Sequence, residues 1–326
     1  MQTGFAFSAS KTLLSAVELE LFTKLANKPQ DLETLQQRYG LHPRAARDFL
    51  DALVALGFLR REDGFYSNTP ETDYFLDKAK PSYIGAMLEL TSSRIFPNWS
   101  HLTEAVLTGR AENGSESLEE TYSEFDAGSE ETKDFLRAMS SFSDSANRVM
   151  ARSLPWKDYT TFVDVGTAQG DLAVQIALAN PHLKGIGFDL PPVAPVFREY
   201  ADENRVADRL EFVGGNFFTD PLPKGDVVLF GHVLLNWDLD KKKMLLRKAY
   251  EALPSGGTVV VYEAIIDDDR CQNAFGLMVS LNMLVATKAG FVFTGADCKE
   301  WMEEAGFRNI RMENLDGADS MVVGLK

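Results

Sequence analysis

Between Thr161 and Ile266 the sequence alternates short apolar runs with longer amphipathic stretches, and this alternation constrains the fold more than any other feature. The runs are "TFVDVG", "KGIGFDL", "LEFVGG", "DVVLFGHVLL" and "GTVVVYEAII". Helical patterns separate most of them: "DLAVQIALAN", a stretch ending near Asn204, and "DKKKMLLRKAYEAL". Strands spaced by helices cannot pair through tight hairpins. They predict a mostly parallel, doubly wound sheet with helices on both faces. After a further helix, "GADCKEWMEEAGF", the pieces "NIRMENL" and "SMVVGLK" are expected to close the sheet as a terminal hairpin.

The first half reads differently. Residues 6–27 carry Leu13, Leu14, Val17, Leu21 and Leu25 at helical spacing. Asp31 is placed to cap a helix with Leu35 inward, and Gly40 to end it. A second helix follows Pro43, with Phe49, Leu50, Leu53 and Val54 inward and Gly57 at its close. "FLRREDGFYSNT" then predicts a hairpin turning at Asp63-Gly64. Helix, helix, hairpin is a winged helix-turn-helix. DNA is nevertheless not the expected partner. The recognition-like helix mixes Arg44 and Arg47 with Asp48 and Asp51, and the formal charge is −15. That charge also argues against an anionic membrane surface. The expected role is packing against a partner subunit and covering a substrate pocket. From Ser82 to about Leu154 the pattern is again helical, interrupted by the polar, loop-rich stretch 112–132. Met87, Phe96, Trp99, Phe135, Met139 and Phe142 are expected core residues there, with a subset lining a pocket.

A chain of 326 residues suits two domains, here drawn as 1–154 and 155–326. No secretory leader, no apolar run long enough for a membrane helix and no metal-ligand cluster is read. Cys271 and Cys298 make no disulfide framework and are expected as buried free thiols in a reducing cytoplasm.

Ligands of open α/β sheets bind at the carboxyl ends of the strands. The first strand ends in "DVGTAQG". Gly166 permits a sharp turn and Gly170 a close helix approach, while Ala168 leaves room against the backbone. The loop fits neither G-x-G-x-x-G nor a P-loop. The second strand ends in Asp189, an acceptor suited to both ribose hydroxyls of a nucleoside. The third ends in "GGNFF", where Asn216 suits an adenine edge and Phe217 its face. These ends describe an adenosine site without a phosphate cradle, which suits S-adenosylmethionine (SAM), the expected cofactor. Its amino acid tail is expected at the loop beside the helix N-terminus.

"FVDVGTAQGDLAVQIALANPHLKGIGFDLP", "GGNFFTDPLP", "GHVLLNWDLDKKKMLLRKAYEALPSGGTVVVYEAIID" and "AFGLMVSLNMLVATKAGFVFTGADCKEWMEEAGF" resemble the SAM-dependent O-methyltransferase family, of plant caffeate type, hydroxyindole type and bacterial secondary metabolism. The resemblance covers essentially the whole chain. It implies a Rossmann-like methyltransferase domain of seven strands behind a mainly helical winged-helix dimerisation domain. It also implies an intertwined homodimer whose N-terminal helices help form the pocket. The SAM contacts it implies are Asp164, Gly166, Gly170, Asp189, Leu190, Asn216, Phe217, Gly231 and His232. The family more often has glycine throughout 166–168 and Asp at 216, so Thr167, Ala168 and Asn216 depart mildly from it.

Family members that methylate phenols typically read His-Asp-Trp where this chain reads Leu235-Asn236-Trp237. Leucine cannot act as the general base. Of the two acids that hold that base, Glu263 is retained and Val292 stands in place of the other. Three readings follow: methyl transfer to an acceptor that needs no histidine, by proximity; a SAM-binding enzyme of other chemistry, such as hydroxylation, decarboxylation or a pericyclic step; or a silent binding protein. The first is favoured, on a planar aromatic or enolic small molecule, by O-, C- or N-methylation. Candidate site residues are Glu263, Asn236 and His232 for catalysis. Trp99, His101, Met139, Asn282 and Met283 are the candidates for the acceptor pocket. His42 and His182 are read as structural and Trp237 as packing.

Overall fold

The computed structural model describes residues 1–80, 82–111, 126 and 129–326. The chain divides into two compact units, Met1–Pro97 and Asn98–Lys326.

The first unit holds α1 (Gln2–Glu18), α2 (Leu21–Leu25), β1 (Gln30–Asp31), α3 (Leu32–Tyr39), α4 (Pro43–Ala55), β2 (Leu59–Glu62), β3 (Phe65–Asn68), α5 (Pro70–Phe75) and α6 (Gly85–Leu90). The single helix expected over 6–27 is two helices, broken where Glu20 takes a left-handed φ of 52°. Val17 of the first half and Leu21 and Leu25 of the second share one core with Leu35, Leu50, Leu53 and Tyr66, so the apolar spacing carries no mark of the break. Local chemistry explains the other boundaries. The Asp31 carboxylate accepts the Thr34 N–H at 2.7 Å, capping α3. Asp63 and Gly64 both have positive φ, as a two-residue hairpin turn requires. β1 adds a third strand, giving the order β1-β3-β2.

The second unit begins at the end of α7 (Phe96–Trp99). It continues through α8 (Leu102–Thr108), α9 (Glu130–Ser153), β4 (Thr161–Val165), α10 (Asp171–Ala179), β5 (Lys184–Asp189), α11 (Ala194–Glu203), β6 (Leu210–Gly214), β7 (Val227–Gly231), α12 (Leu239–Ala252), β8 (Thr258–Glu263), α13 (Ala274–Ala286), α14 (Gly295–Ala305), β9 (Arg308–Asp316) and β10 (Asp319–Leu325). Among the described residues the sheet has seven strands in the order β6-β5-β4-β7-β8-β10-β9. The first five run parallel, and the terminal hairpin adds antiparallel to β8. The expected doubly wound sheet and its closing hairpin are therefore present. Of the polar stretch 112–132, residues 112–125 and 127–128 lie outside the described residues; from Glu130 the chain is helical, with Ser129 capping α9.

The compact units part at Pro97, ahead of the division drawn at Leu154. The reason lies in α9, which packs on α10 and β9. Its Ala146, Met150 and Ala151 share a buried cluster with Phe162, Leu172 and Ile176. The run "DVVLFGHVLL" is also shorter as a strand than expected. β7 stops at Gly231, His232 adopts a φ of 53°, and Leu234–Asn236 form a 3-10 turn. Cys298 is buried as expected, but Cys271 is exposed, because it sits in the turn after β8 whose backbone N–H groups wrap the Asp267 carboxylate. Among the described residues no helix is long and apolar enough to cross a membrane.

Candidate active site

From β4 the chain runs outward through β5 to β6, then returns to β7 on the other side of β4. The strand order reverses between β4 and β7, where open sheets of this kind leave a crevice for ligands. Register places the predicted residues there together. Val165 pairs with Phe188 and Phe230, so Gly166, Asp189 and Gly231 follow side by side.

The loop after β4 is tightly built. Gly166, Ala168 and Gly170 have φ values of 76°, 51° and 92°. A Cβ on Gly166 would stand 2.8 Å from Val233, and one on Gly170 2.6 Å from the Phe197 ring, so both positions need glycine for packing as well as backbone. The Ala168 N–H donates to Asp189 Oδ2 at 2.8 Å and the Leu190 N–H to Oδ1 at 2.7 Å. Two backbone donors thus aim the carboxylate and leave further lone pairs for a diol. Burial pushes Asp189 up to about 6 against the pull of those two N–H groups. Asp164 lies deeper, only 3% exposed, and accepts the Thr167 hydroxyl at 2.6 Å. Burial raises it to about 7. Its place is under the loop. Asn216 is exposed and held in a turn, its Oδ1 accepting the Phe218 N–H at 2.9 Å. Phe217 stands edge-on to Trp237, 5.8 Å between centroids.

His232 is boxed in. Nδ1 meets Ser143 Oγ at 2.8 Å, Nε2 meets Asp319 Oδ1 at 3.2 Å, and Phe142 and Tyr262 present ring edges at 5.2 and 5.3 Å. With both ring nitrogens engaged, it is oriented by the protein rather than presented as a free base. Asn236 turns its amide onto its own turn, donating to the His232 and Val233 carbonyls. Leu235 is 7% exposed and packs with Ile266, Met283 and Val292. Leu235 and Val292 therefore share an apolar cluster. Glu263 is fully buried; its Oε1 accepts the Leu235 N–H at 3.1 Å, and Oε2 has no hydrogen-bond partner among the described residues. Burial raises its pKa.

Of the acceptor-pocket candidates, Trp99 and Asn282 meet directly, Nε1 donating to Oδ1 at 3.0 Å. Met283 lies in the Leu235 cluster. Met139 is half-buried on α9, and His101 half-buried at the start of α8, its side chain not capping that helix.

Two groups were not singled out from sequence. One is a buried polar relay behind the glycine loop: Tyr262 donates to Asn147 at 2.5 Å, Asn147 to Asp171 at 2.7 Å, and Tyr200 to Asp171 at 2.9 Å. Its members lie far apart in the chain, so no local pattern marks them. The other is Lys242, fully buried on α12. Its signal was present: it stands three, four and seven residues before Leu245, Leu246 and Ala249, all buried.

Residues 99–308 match the O-methyltransferase domain, and residues 1–78 the O-methyltransferase dimerisation domain. The chain is 42% identical to the tetracenomycin polyketide synthesis 8-O-methyl transferase TcmO of Streptomyces glaucescens, over all of this chain and 96% of TcmO. It is 35% identical to the N,N-dimethyltransferase OxyT of Streptomyces rimosus, over all of this chain and 95% of OxyT. Human N-acetylserotonin methyltransferase in complex with SAM superposes with a TM-score of 0.91 at 25% identity, covering all of this chain and 96% of that one. Family, fold and strand-end chemistry agree, and the chain belongs to the O-methyltransferase family as a SAM-dependent methyltransferase with an N-terminal dimerisation domain.

Proposed function

We propose that this enzyme methylates a planar aromatic or enolic small molecule of secondary metabolism, on oxygen or nitrogen, by positioning rather than by a histidine base. One observation carries the reading. The Asp189 cradle is complete, while the turn that would bear the base presents Leu235, packed against Val292. SAM supplies an electrophilic methyl group on a sulfonium. Gly166, Gly170, Leu190 and Gly231 line the backbone approach to it, with Asp164 bracing the loop. Asp189 receives the ribose, Asn216 and Phe217 the adenine, and His232 lies beside the cofactor as an oriented dipole. Leu235, Met283 and Val292 form an apolar wall that keeps water from the acceptor. An acidic phenol, an enol or an amine needs no strong base, and in-line alignment at about 3 Å supplies a large part of the barrier reduction. The relatives support either atom, since TcmO is an O-methyltransferase and OxyT an N,N-dimethyltransferase. Trp99 and Asn282 hold one side of the acceptor pocket, with Met139 and His101 further candidates. The working form is a homodimer through the N-terminal helices. The match to a dimerisation domain and the exposed Phe5 and Phe7 of α1 support this.

The test is to incubate the protein with SAM and 3-hydroxy-2-naphthoic acid, 1,8-dihydroxyanthraquinone or an arylamine, and to follow S-adenosylhomocysteine and product by mass spectrometry. Methylated product equal to S-adenosylhomocysteine is expected. Product formed without S-adenosylhomocysteine would overturn methyl transfer in favour of other SAM-assisted chemistry. Absence of both would favour a binding role.

A further inference from the structure

The 3-10 turn Leu234–Asn236 is held from both ends by buried charged side chains. At its start, Glu263 Oε1 accepts the Leu235 N–H at 3.1 Å. At its end, Lys242 Nζ donates to the Trp237 carbonyl at 2.5 Å. Both side chains are fully buried, and Lys242 Nζ also lies 3.4 Å from the centroid of Phe291. Two such groups are costly to remove from water, and each is held here by a hydrogen bond to the turn. Burial works against the charge of both groups; His232 first, and Lys242 after it, favour the ionised form of Glu263, while Glu263 and Asp238 favour the charged form of Lys242. The turn has little freedom elsewhere. A Cβ on Gly290 would stand 2.7 and 2.8 Å from the Leu235 and Asn236 carbonyl oxygens, so the segment after α13 lies directly on it.

We propose that Glu263 and Lys242 act as a pair of positioning residues, a buried charge clamp that fixes the Leu235–Trp237 backbone and through it the apolar wall against which the acceptor is aligned. Glu263 thus keeps a task although no histidine is present for it to orient. It holds the backbone of the residue standing in that place, and Lys242 on α12 supplies the opposite charge. Where catalysis depends on alignment alone, a displacement of about 1 Å lowers the rate about 10²-fold, so the clamp acts on kcat.

The inference rests on the methyl-transfer reading, and the experiment separates the two. Glu263→Gln keeps an acceptor for the Leu235 N–H and removes the charge; Lys242→Met removes its charge and its hydrogen bond; the double variant removes both charges. Turnover is measured with whichever acceptor of the panel above the wild type methylates. SAM affinity is measured by calorimetry, and amide exchange by mass spectrometry on peptides covering residues 232–240. Each single variant is expected to lower kcat about 10-fold or more with the SAM dissociation constant within about 2-fold of wild type. Exchange should quicken in the turn and not in β4 or β5. The double variant should be no slower than the slower single, because paired residues lose their effect once. Unchanged exchange in the turn in both single variants would overturn the clamp, as would losses that multiply in the double. Exchange that rises equally across the sheet would reduce the pair to general stability and also overturn it. If the wild type methylates none of the panel, the functional reading fails, and the exchange measurement still decides the clamp.

Discussion

The sharpest consequence of the site concerns Asp189 and pH. Its carboxylate is held by the Ala168 and Leu190 N–H groups and is pushed by burial up to about 6 in the ligand-free protein. In the proposed ribose contact, only the ionised form would accept both hydroxyls while keeping its two backbone donors. At pH 8 almost every molecule is competent; at pH 5 about a tenth is. The apparent dissociation constant is the intrinsic one divided by that fraction, so S-adenosylhomocysteine should bind about tenfold more weakly at pH 5 than at pH 8. Asp189→Asn removes the charge at every pH. It also sets an amide nitrogen against one of the two backbone N–H groups. Two hydrogen bonds to a charged acceptor are each worth about 1.5–3 kcal/mol. The expected loss is about 3 kcal/mol, or about 10²-fold in affinity, with the pH step gone. Calorimetric titration of S-adenosylhomocysteine at pH 5, 6, 7 and 8 measures both quantities. Asp164→Asn is the control, because Asp164 titrates in a neighbouring range from beneath the loop; its step near pH 6 should survive. Flat wild-type affinity over this range, or an Asp189→Asn variant within about threefold of wild type at pH 8, would refute the ribose assignment.

Other expectations follow from the same contacts. Asp164 is raised to about 7 by burial, so the folded state holds its proton more tightly than the unfolded chain. That contribution to stability is complete below about pH 4 and lost as pH rises through about 7. The ligand-free protein should therefore melt several degrees higher at pH 5.5 than at pH 8, and scanning calorimetry of Asp164→Asn should show the difference reduced. Gly231→Ala places a Cβ 2.2 Å from the Tyr262 ring, whose hydroxyl is bonded to Asn147. A loss of about 1–3 kcal/mol in denaturant titration is expected. Leu235→His with Val292→Glu restores an imidazole beside Glu263 and a second acid. Rates on weakly acidic phenols should rise about 10²-fold and become pH-dependent, while acidic phenols change little. Equal rates for weakly acidic phenols in wild type and variant would show that a missing base never limited the enzyme.

The sheet was legible because its central strands β4, β7 and β8 are buried almost throughout and are spelled as nearly unbroken apolar runs. Val259, Val260 and Val261 are all fully buried, and nothing but a central strand accommodates them. The parallel, doubly wound character followed from the helices between strands, and the closing hairpin from two β-rich pieces after a helix. What failed was local and conformational. The break at Glu20 and the end of β7 at His232 both depend on single left-handed residues that are not glycine. Composition gives no warning of those, since the side chains continue the apolar spacing on either side. The compact units part at Pro97 rather than at Leu154 for another reason. A helix is amphipathic whichever sheet or bundle receives it, so the stripe of α9 could not say that it belongs with Phe162 and Leu172.

The cofactor side of the crevice is read from residues adjacent in sequence, because strand ends, glycine turns and the acid after β5 are each local. The proposed acceptor side draws on Trp99, Asn282, Met283 and the turn after β7, and its contacts span many residues. Leu235 illustrates the difference. From sequence it marks a lost base, and Glu263 is left over. In three dimensions Glu263 holds the Leu235 amide, Lys242 holds the Trp237 carbonyl, and Leu235 fills an apolar cluster with Val292. With leucine at this position Glu263 stays buried, and the neighbours that favour its ionised form are His232 first and then Lys242. On the clamp proposed above, the same carboxylate holds the Leu235 amide, so the leucine sits in a site that still uses Glu263.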